Sequence, residues 1–146
     1  MSLALRPIVL GLAIGLVSLV LAGCSMVPGA GRAELAGSTW TVVSVDEVAP
    51  VGRAPALEFD SLGRSVTLTT ECGTLKGSFG MDTDRATLFI DLPKPPSGGC
   101  DPALAEHDVA LLEALATTDR WSYASSTEIT FHGAHEVRLR RSDGGA

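Results

Sequence analysis

The chain has three cysteines and three histidines, and these limit the chemistry open to it. Cys24 is the most informative. It closes the segment Leu21-Ala22-Gly23-Cys24, an aliphatic residue, two small residues and a cysteine, which matches a lipobox. The uncharged apolar run Ile8 to Leu21 precedes it, and Arg6 lies before that run. Such a run is shorter than the about 20 residues a spanning helix needs. It fits the central region of an export signal that ends in small residues a peptidase can accept. The chemistry predicted is transfer of a diacylglycerol to the Cys24 thiol, then cleavage between Gly23 and Cys24. Two or more acyl chains anchor a protein stably where one does so only marginally. The expected partner of Cys24 is therefore the membrane, with the protein on its extracytoplasmic side. Ser25 follows the cysteine; in a bacterium with two membranes a serine there points to the outer one.

Cys72 and Cys100 remain. Two cysteines in an exported domain most simply form one disulfide, with two free thiols or a shared metal as alternatives. Closing the loop between them would be worth about 3–4 kcal/mol in the chain-entropy model. His132 and His135 have a spacing that a metal site could use, but only Glu136 lies near as a third ligand; they read as solvated turn residues. His107 is flanked by Glu106 and Asp108, and neighbours on a helix do not face each other, so it reads as surface. Asp82, Asp84 and Asp91 lack the glycine and terminal glutamate of a calcium loop. No G-x-S-x-G or S-x-x-K pattern marks a nucleophilic serine. A glycosidase pair of carboxylates cannot be placed without a structure. Two tryptophans and one tyrosine are poor material for a sugar-stacking cleft, and Trp40 and Trp121 read as core residues. The expectation is no catalytic residue, no metal and no cofactor.

Charge narrows the partners. The chain carries 11 basic and 17 acidic residues, and removal of residues 1–23 takes only Arg6 with it. An acidic domain lacks the basic footprint of a nucleic-acid binder and is not drawn to anionic lipid headgroups. The lipid on Cys24 would have to do the membrane work.

The elements that must position these residues are mostly strands. Ser25 to Glu34 is small, flexible and aperiodic, and its ten residues make a tether of at most about 35 Å. Thr39 to Val45 is rich in β-branched residues and predicts a strand. Asp46 to Pro55 holds two prolines and a glycine and predicts a loop. Further strands are expected at Ala56 to Asp60, Ser65 to Thr70, Thr74 to Met81 and Ala86 to Leu92, the fourth with glycines that suit a bulge or close packing. Pro93 to Gly99 cannot continue a sheet. Asp101 is a good N-cap and Pro102 a good first helical residue. The helix carries Leu104, Leu111, Leu112 and Leu115 on one stripe and ends near Thr117. Three short strands follow, Arg120 to Ser125, Glu128 to His132 and Glu136 to Arg141. The predicted fold is α+β: an antiparallel, barrel-like curled sheet of about seven to eight short strands, with one helix inserted before the last three. The organisation is a signal at 1–23, a lipidated tether at 24–34, one domain at 35–141 and a tail at 142–146.

This order of features resembles the META domain family, the HslJ-like heat-shock lipoproteins. Leu35-Ala36-Gly37-Ser38-Thr39-Trp40 is similar to the family's L-x-G-x-x-W opening. Leu57-Glu58-Phe59-Asp60 with Gly63-Arg64, Gly77-Ser78-Phe79, Cys100-Asp101-Pro102, Leu111 to Leu115 and Glu128 to Leu139 resemble its later segments. Cys72 stands at the family's first cysteine, but within Glu71-Cys72-Gly73 where the family commonly has Gly-Cys-Asn. The resemblance implies envelope, heat-stress, novobiocin-resistance or virulence roles, and it carries over no catalytic residue. The expected function is a membrane-anchored envelope lipoprotein with a non-enzymatic domain in a binding or stress role. The alternatives are an inhibitor of a secreted lysozyme or protease, and a barrel that holds a small apolar ligand.

Overall fold

A computed structural model describes residues 35–82, 84–95 and 98–142. The export signal, the Gly23–Cys24 cleavage point, lipidation of Cys24, the tether and all of the tail except Ser142 lie outside the described residues. The strands are β1 (Thr39–Val45), β2 (Ala56–Phe59), β3 (Ser65–Thr70), β4 (Gly73–Asp82), β5 (Thr87–Asp91), β6 (Thr118–Ser125), β7 (Glu128–Gly133) and β8 (Glu136–Arg141). One helix, α1 (Pro102–Ala116), stands between β5 and β6. Each strand pairs antiparallel with its sequence neighbours, and β8 returns to β1 to close an eight-stranded barrel. The predicted class, strand order and place of the helix all hold.

The boundaries move by one or two residues for local reasons. Ala86 has a left-handed backbone (φ +51°), so it belongs to the turn and β5 begins at Thr87. β6 begins at Thr118 rather than Arg120, because Thr118 already pairs with Gly133. Helix α1 starts as expected, with the Asp101 side chain accepting from the Ala103 amide at 2.9 Å and proline in the first turn.

Period two decides what faces inward. In β1, Trp40 and Val42 are buried; Leu57 and Phe59 of β2 and Val66 and Leu68 of β3 follow the same alternation. With Phe79, Leu88, Ile90, Ile129, Phe131, Val137 and Leu139 they fill the barrel. Phe59 meets the rings of Phe79 and Phe131 edge-on at 4.8 and 6.5 Å, the geometry aromatic pairs prefer. Close packing also explains a strand glycine. A Cβ on Gly77 would stand 1.9 Å from the Asp91 carbonyl oxygen, so only glycine lets β5 approach β4 there.

The two poles of the barrel are closed differently. At one, the chain enters at Leu35, which is fully buried. The Ser38 hydroxyl donates to the Leu35 carbonyl and accepts from Trp40 Nε1, both at 2.6 Å. The L-x-G-x-x-W residues are thus a plug, and Trp40 is core. At the opposite pole lie the end of β1, the β3–β4 turn and the β7–β8 turn. Helix α1 crosses this pole and buries Leu111, Ala114 and Leu115. The barrel seam between β5 and β6 rests on one residue pair, Thr87 with Arg120, and α1 is inserted at that seam. Among the described residues no helix is long and apolar enough to cross a membrane.

Candidate functional site

Strand β1 leaves the barrel through a tight turn. Val45 and Val48 exchange both backbone hydrogen bonds at 2.9 Å, and Asp46 and Glu47 between them have φ of +48° and +67°. Positive φ at both central residues is the hairpin geometry that follows strand twist. This turn throws residues 46–55 outward beside α1. Between loop and helix lies a cavity of about 320 Å³. Its apolar wall is built from Val42, Val45, Val48 and Val51 on the loop side and Leu104 and Leu111 on the helix side. Val48 and Val51 are 62% and 50% exposed and stand at the lip of the groove. The barrel interior is filled, so the cavity belongs to the pole and not to the lumen.

The β3–β4 turn holds both walls of this groove through three consecutive residues. Thr70 donates its hydroxyl to Asp108 of α1 at 2.5 Å. Glu71 accepts from the Arg53 amide of the loop at 2.8 Å. Cys72 forms a disulfide with Cys100, just before the helix cap. The pairing expected of the two cysteines is therefore present. Gly52, at φ +73°, lies directly on the Glu71 carboxylate, where a Cβ would come within 2.8 Å of Oε2. The Glu71-Cys72-Gly73 departure noted in the sequence thus has a structural use: its glutamate pins the loop.

At the other end of the groove, Asp46 accepts from the Glu136 amide at 2.9 Å and faces His135 Nδ1 at 2.7 Å. An ionised carboxylate only accepts, so Nδ1 carries the proton. The Glu136 amide first, and then His135, hold the Asp46 carboxyl below its ordinary value. Asp108, Glu71, Glu113 and His107 also border the groove. Four carboxylates, two imidazoles and the Arg53 guanidinium therefore surround an apolar floor.

The other residues singled out in the sequence are dispersed. His132 and His135 do not converge. His132 Nε2 is 2.7 Å from the Ser122 hydroxyl, with Glu136 3.7 Å from Nδ1; both histidines are hydrogen-bonded and partly exposed, and His135 borders the groove. Ser122, His132 and Glu136 have the order of nucleophile, base and orienting acid. They stand on the convex outer face of β6, β7 and β8, with the His132 side chain 35% exposed and that of Glu136 49% exposed. Asp82 accepts from the Asp84 and Arg85 amides at 3.1 and 3.3 Å and shapes its own turn. Trp121 packs against the core and against Tyr123, but its Nε1 is buried without a partner. Among the described residues, no group of three or more His, Cys, Asp or Glu side chains could hold a metal.

The sequence singled out none of Asp46, Arg53 and Thr70, and it marked Asp108 only as a surface neighbour of His107 and Glu71 only as a departure from the family pattern. They come from three separate segments, and only the atypical glutamate beside Cys72 gave a signal.

The geometry defines a small closed antiparallel barrel with one helix-capped, grooved pole. The chain belongs to the META domain family: the family model matches residues 33–144. Two solved structures share the fold. One is a DUF4847 family protein from Bacteroides vulgatus, 15% identical, with 75% of this chain and 96% of that one covered and a TM-score of 0.57. The other is a protein from Burkholderia xenovorans solved by NMR, 17% identical, with 79% and 88% covered and a TM-score of 0.62. No curated protein sequence matches the chain.

Proposed function

We propose that the chain is a lipid-anchored envelope lipoprotein whose barrel is a non-enzymatic binding module, with the capped-pole groove as its binding site. The carrying observation is the β3–β4 turn, where Thr70, Glu71 and Cys72 fix loop and helix on either side of the groove. A turn that ties both walls keeps a groove preformed, which reduces the ordering cost of binding. The cavity of about 320 Å³ matches the small end of ligand pockets, about 300–1,000 Å³. The anchor fits this placement. β1 runs from the entry pole beside Leu35 to the groove pole, so the chain enters the barrel at the pole opposite the groove.

The non-enzymatic reading is supported by the setting of Ser122, His132 and Glu136. A convex, half-exposed face does not exclude water from reacting atoms, and acyl transfer relies on a dry, preorganised site. A fluorophosphonate probe is expected to leave Ser122 unlabelled; labelling lost in His132→Ala would sink the reading. Metabolic labelling with a fatty-acid analogue is expected to mark the wild-type chain and not Cys24→Ala. For the groove itself, Ala110→Trp is the test, because Ala110 is exposed on α1 and borders the cavity. In a deletion strain with an envelope-stress phenotype, this variant should be present at normal level yet fail to complement. A fully complementing Ala110→Trp chain removes the groove from the function.

A further inference from the structure

Resting on that reading of the groove, we infer that its ligand is a small amphiphilic cation, an alkyl or arylalkyl amine with a compact apolar body. The floor supplies the site for the body: Val42, Val45, Leu104 and Leu111 contribute no polar side-chain atom. The rim supplies the charge. Asp46, Glu71, Asp108 and Glu113 border the groove against one permanent cation, Arg53. Each of the first three already holds an internal donor: the His135 ring and Glu136 amide for Asp46, the Arg53 amide for Glu71 and the Thr70 hydroxyl for Asp108. A carboxylate has about four acceptor sites, so these bonds orient the oxygens and leave lone pairs for a ligand. The Glu113 side chain makes no hydrogen bond or ion pair within the described residues. An ammonium group brings three donors and would find acceptors on more than one side. An anionic ligand of the same size would meet repulsion, and a neutral one would leave the rim unused. The cavity volume holds a compact ligand and excludes a folded partner.

The test uses the full chain in phosphatidylcholine nanodiscs, with empty nanodiscs as the blank. Three probes of one shape are compared by saturation-transfer NMR titration: 4-phenylbutylamine, 4-phenylbutanol and 4-phenylbutyrate. The amine is expected to bind saturably, at least tenfold more tightly than the alcohol, with no saturable binding of the carboxylate. Glu113→Gln, which breaks no internal hydrogen bond, should weaken the amine at least threefold and leave the alcohol unchanged. Ala110→Trp should abolish binding of both. Equal binding of amine and alcohol, or preference for the carboxylate, overturns the cation assignment. If the amine shows no preference while Ala110→Trp still fails to complement in cells, the cation assignment falls and the groove reading stands. A basic apolar peptide that binds where the amine does not also overturns it, as does a dimer in sedimentation whose groove is closed by a second copy.

Discussion

At the scale of single residues, two carboxylates do different work at the two ends of the groove. Glu71 holds the loop through one hydrogen bond to the Arg53 amide. Bonds to charged groups contribute about 1.5–3 kcal/mol net, but this one is solvent-exposed and is set at the ordinary value of about 0.5–1.5 kcal/mol. Glu71→Ala should lower stability by roughly that amount and raise hydrogen exchange at the Arg53 amide, whereas exchange in β3 should not change. Asp46 acts through its charge. Its folded-state pKa is depressed by the Glu136 amide and by His135. A depressed carboxylate pKa adds stability above the unfolded value of about 3.9, and that stability is lost as pH falls through the folded value. Asp46→Ala should therefore be less stable than wild type at pH 7. The gap should narrow as denaturation is repeated at decreasing pH below about 4. A gap that stays constant with pH would show that the lost interaction is not ionic. Asp60 follows the same sign, held low by the Ser65 and Arg64 amides, so the wild-type acid limb should not vanish in the Asp46 variant.

At the scale of elements, the barrel depends on positions where two backbones meet without a side chain between them. Gly77→Ala places a methyl group against the Asp91 carbonyl oxygen, and backbone cannot yield as a flexible side chain can. Overpacking of this kind costs about 1–3 kcal/mol, and Gly77→Ala should fall in the upper part of that range in urea unfolding. A cost below about 0.5 kcal/mol would mean that β4 and β5 can part without loss. Phe89 is the contrasting case. It is 59% exposed and lies over Gly80 on the same strand pair, so its ring can swing away. The helix was legible because its signals are local: Asp101 and Pro102 start it, and the leucine spacing sets its buried face. Its exact face was less so. Ala114 is buried among Leu111 and Leu115, whereas Leu104 borders the groove and Leu112 is only partly buried. Alanine gives little hydrophobic signal in a sequence, and a helix that crosses a pole instead of lying on a sheet need not bury its whole stripe.

At the scale of the whole molecule, the disulfide joins the barrel to its cap. Cys72 and Cys100 are 28 residues apart in sequence, and closing such a loop is worth about 3–4 kcal/mol in the chain-entropy model. The Cys72→Ser/Cys100→Ser double variant should lose stability of that order in guanidinium unfolding. Its extra hydrogen exchange should be concentrated in the first turns of α1 and spare β1, β7 and β8. Uniform loss of protection would instead mean that the cap and barrel unfold as one. Complementation of the deletion strain should weaken in the same variant.

The sequence by itself determined the strand order, the helix and its caps, the likeness to the META family and the partnership of Cys72 with Cys100 as the simplest outcome. These follow from signals within a few residues of one another: alternation in TWTVVSV and SVTLTT, capping at Asp101 and Pro102, and a count of cysteines. Only the tertiary structure decided that the sheet closes, that its interior is filled, and that loop 46–55 and α1 leave a groove between them. It alone decided that Asp46 meets His135 and that Glu71 meets Arg53. The physical reason is that these contacts join segments whose approach is set by barrel closure, and a carboxylate in a polar turn looks the same in sequence whether it faces water or pins a distant amide.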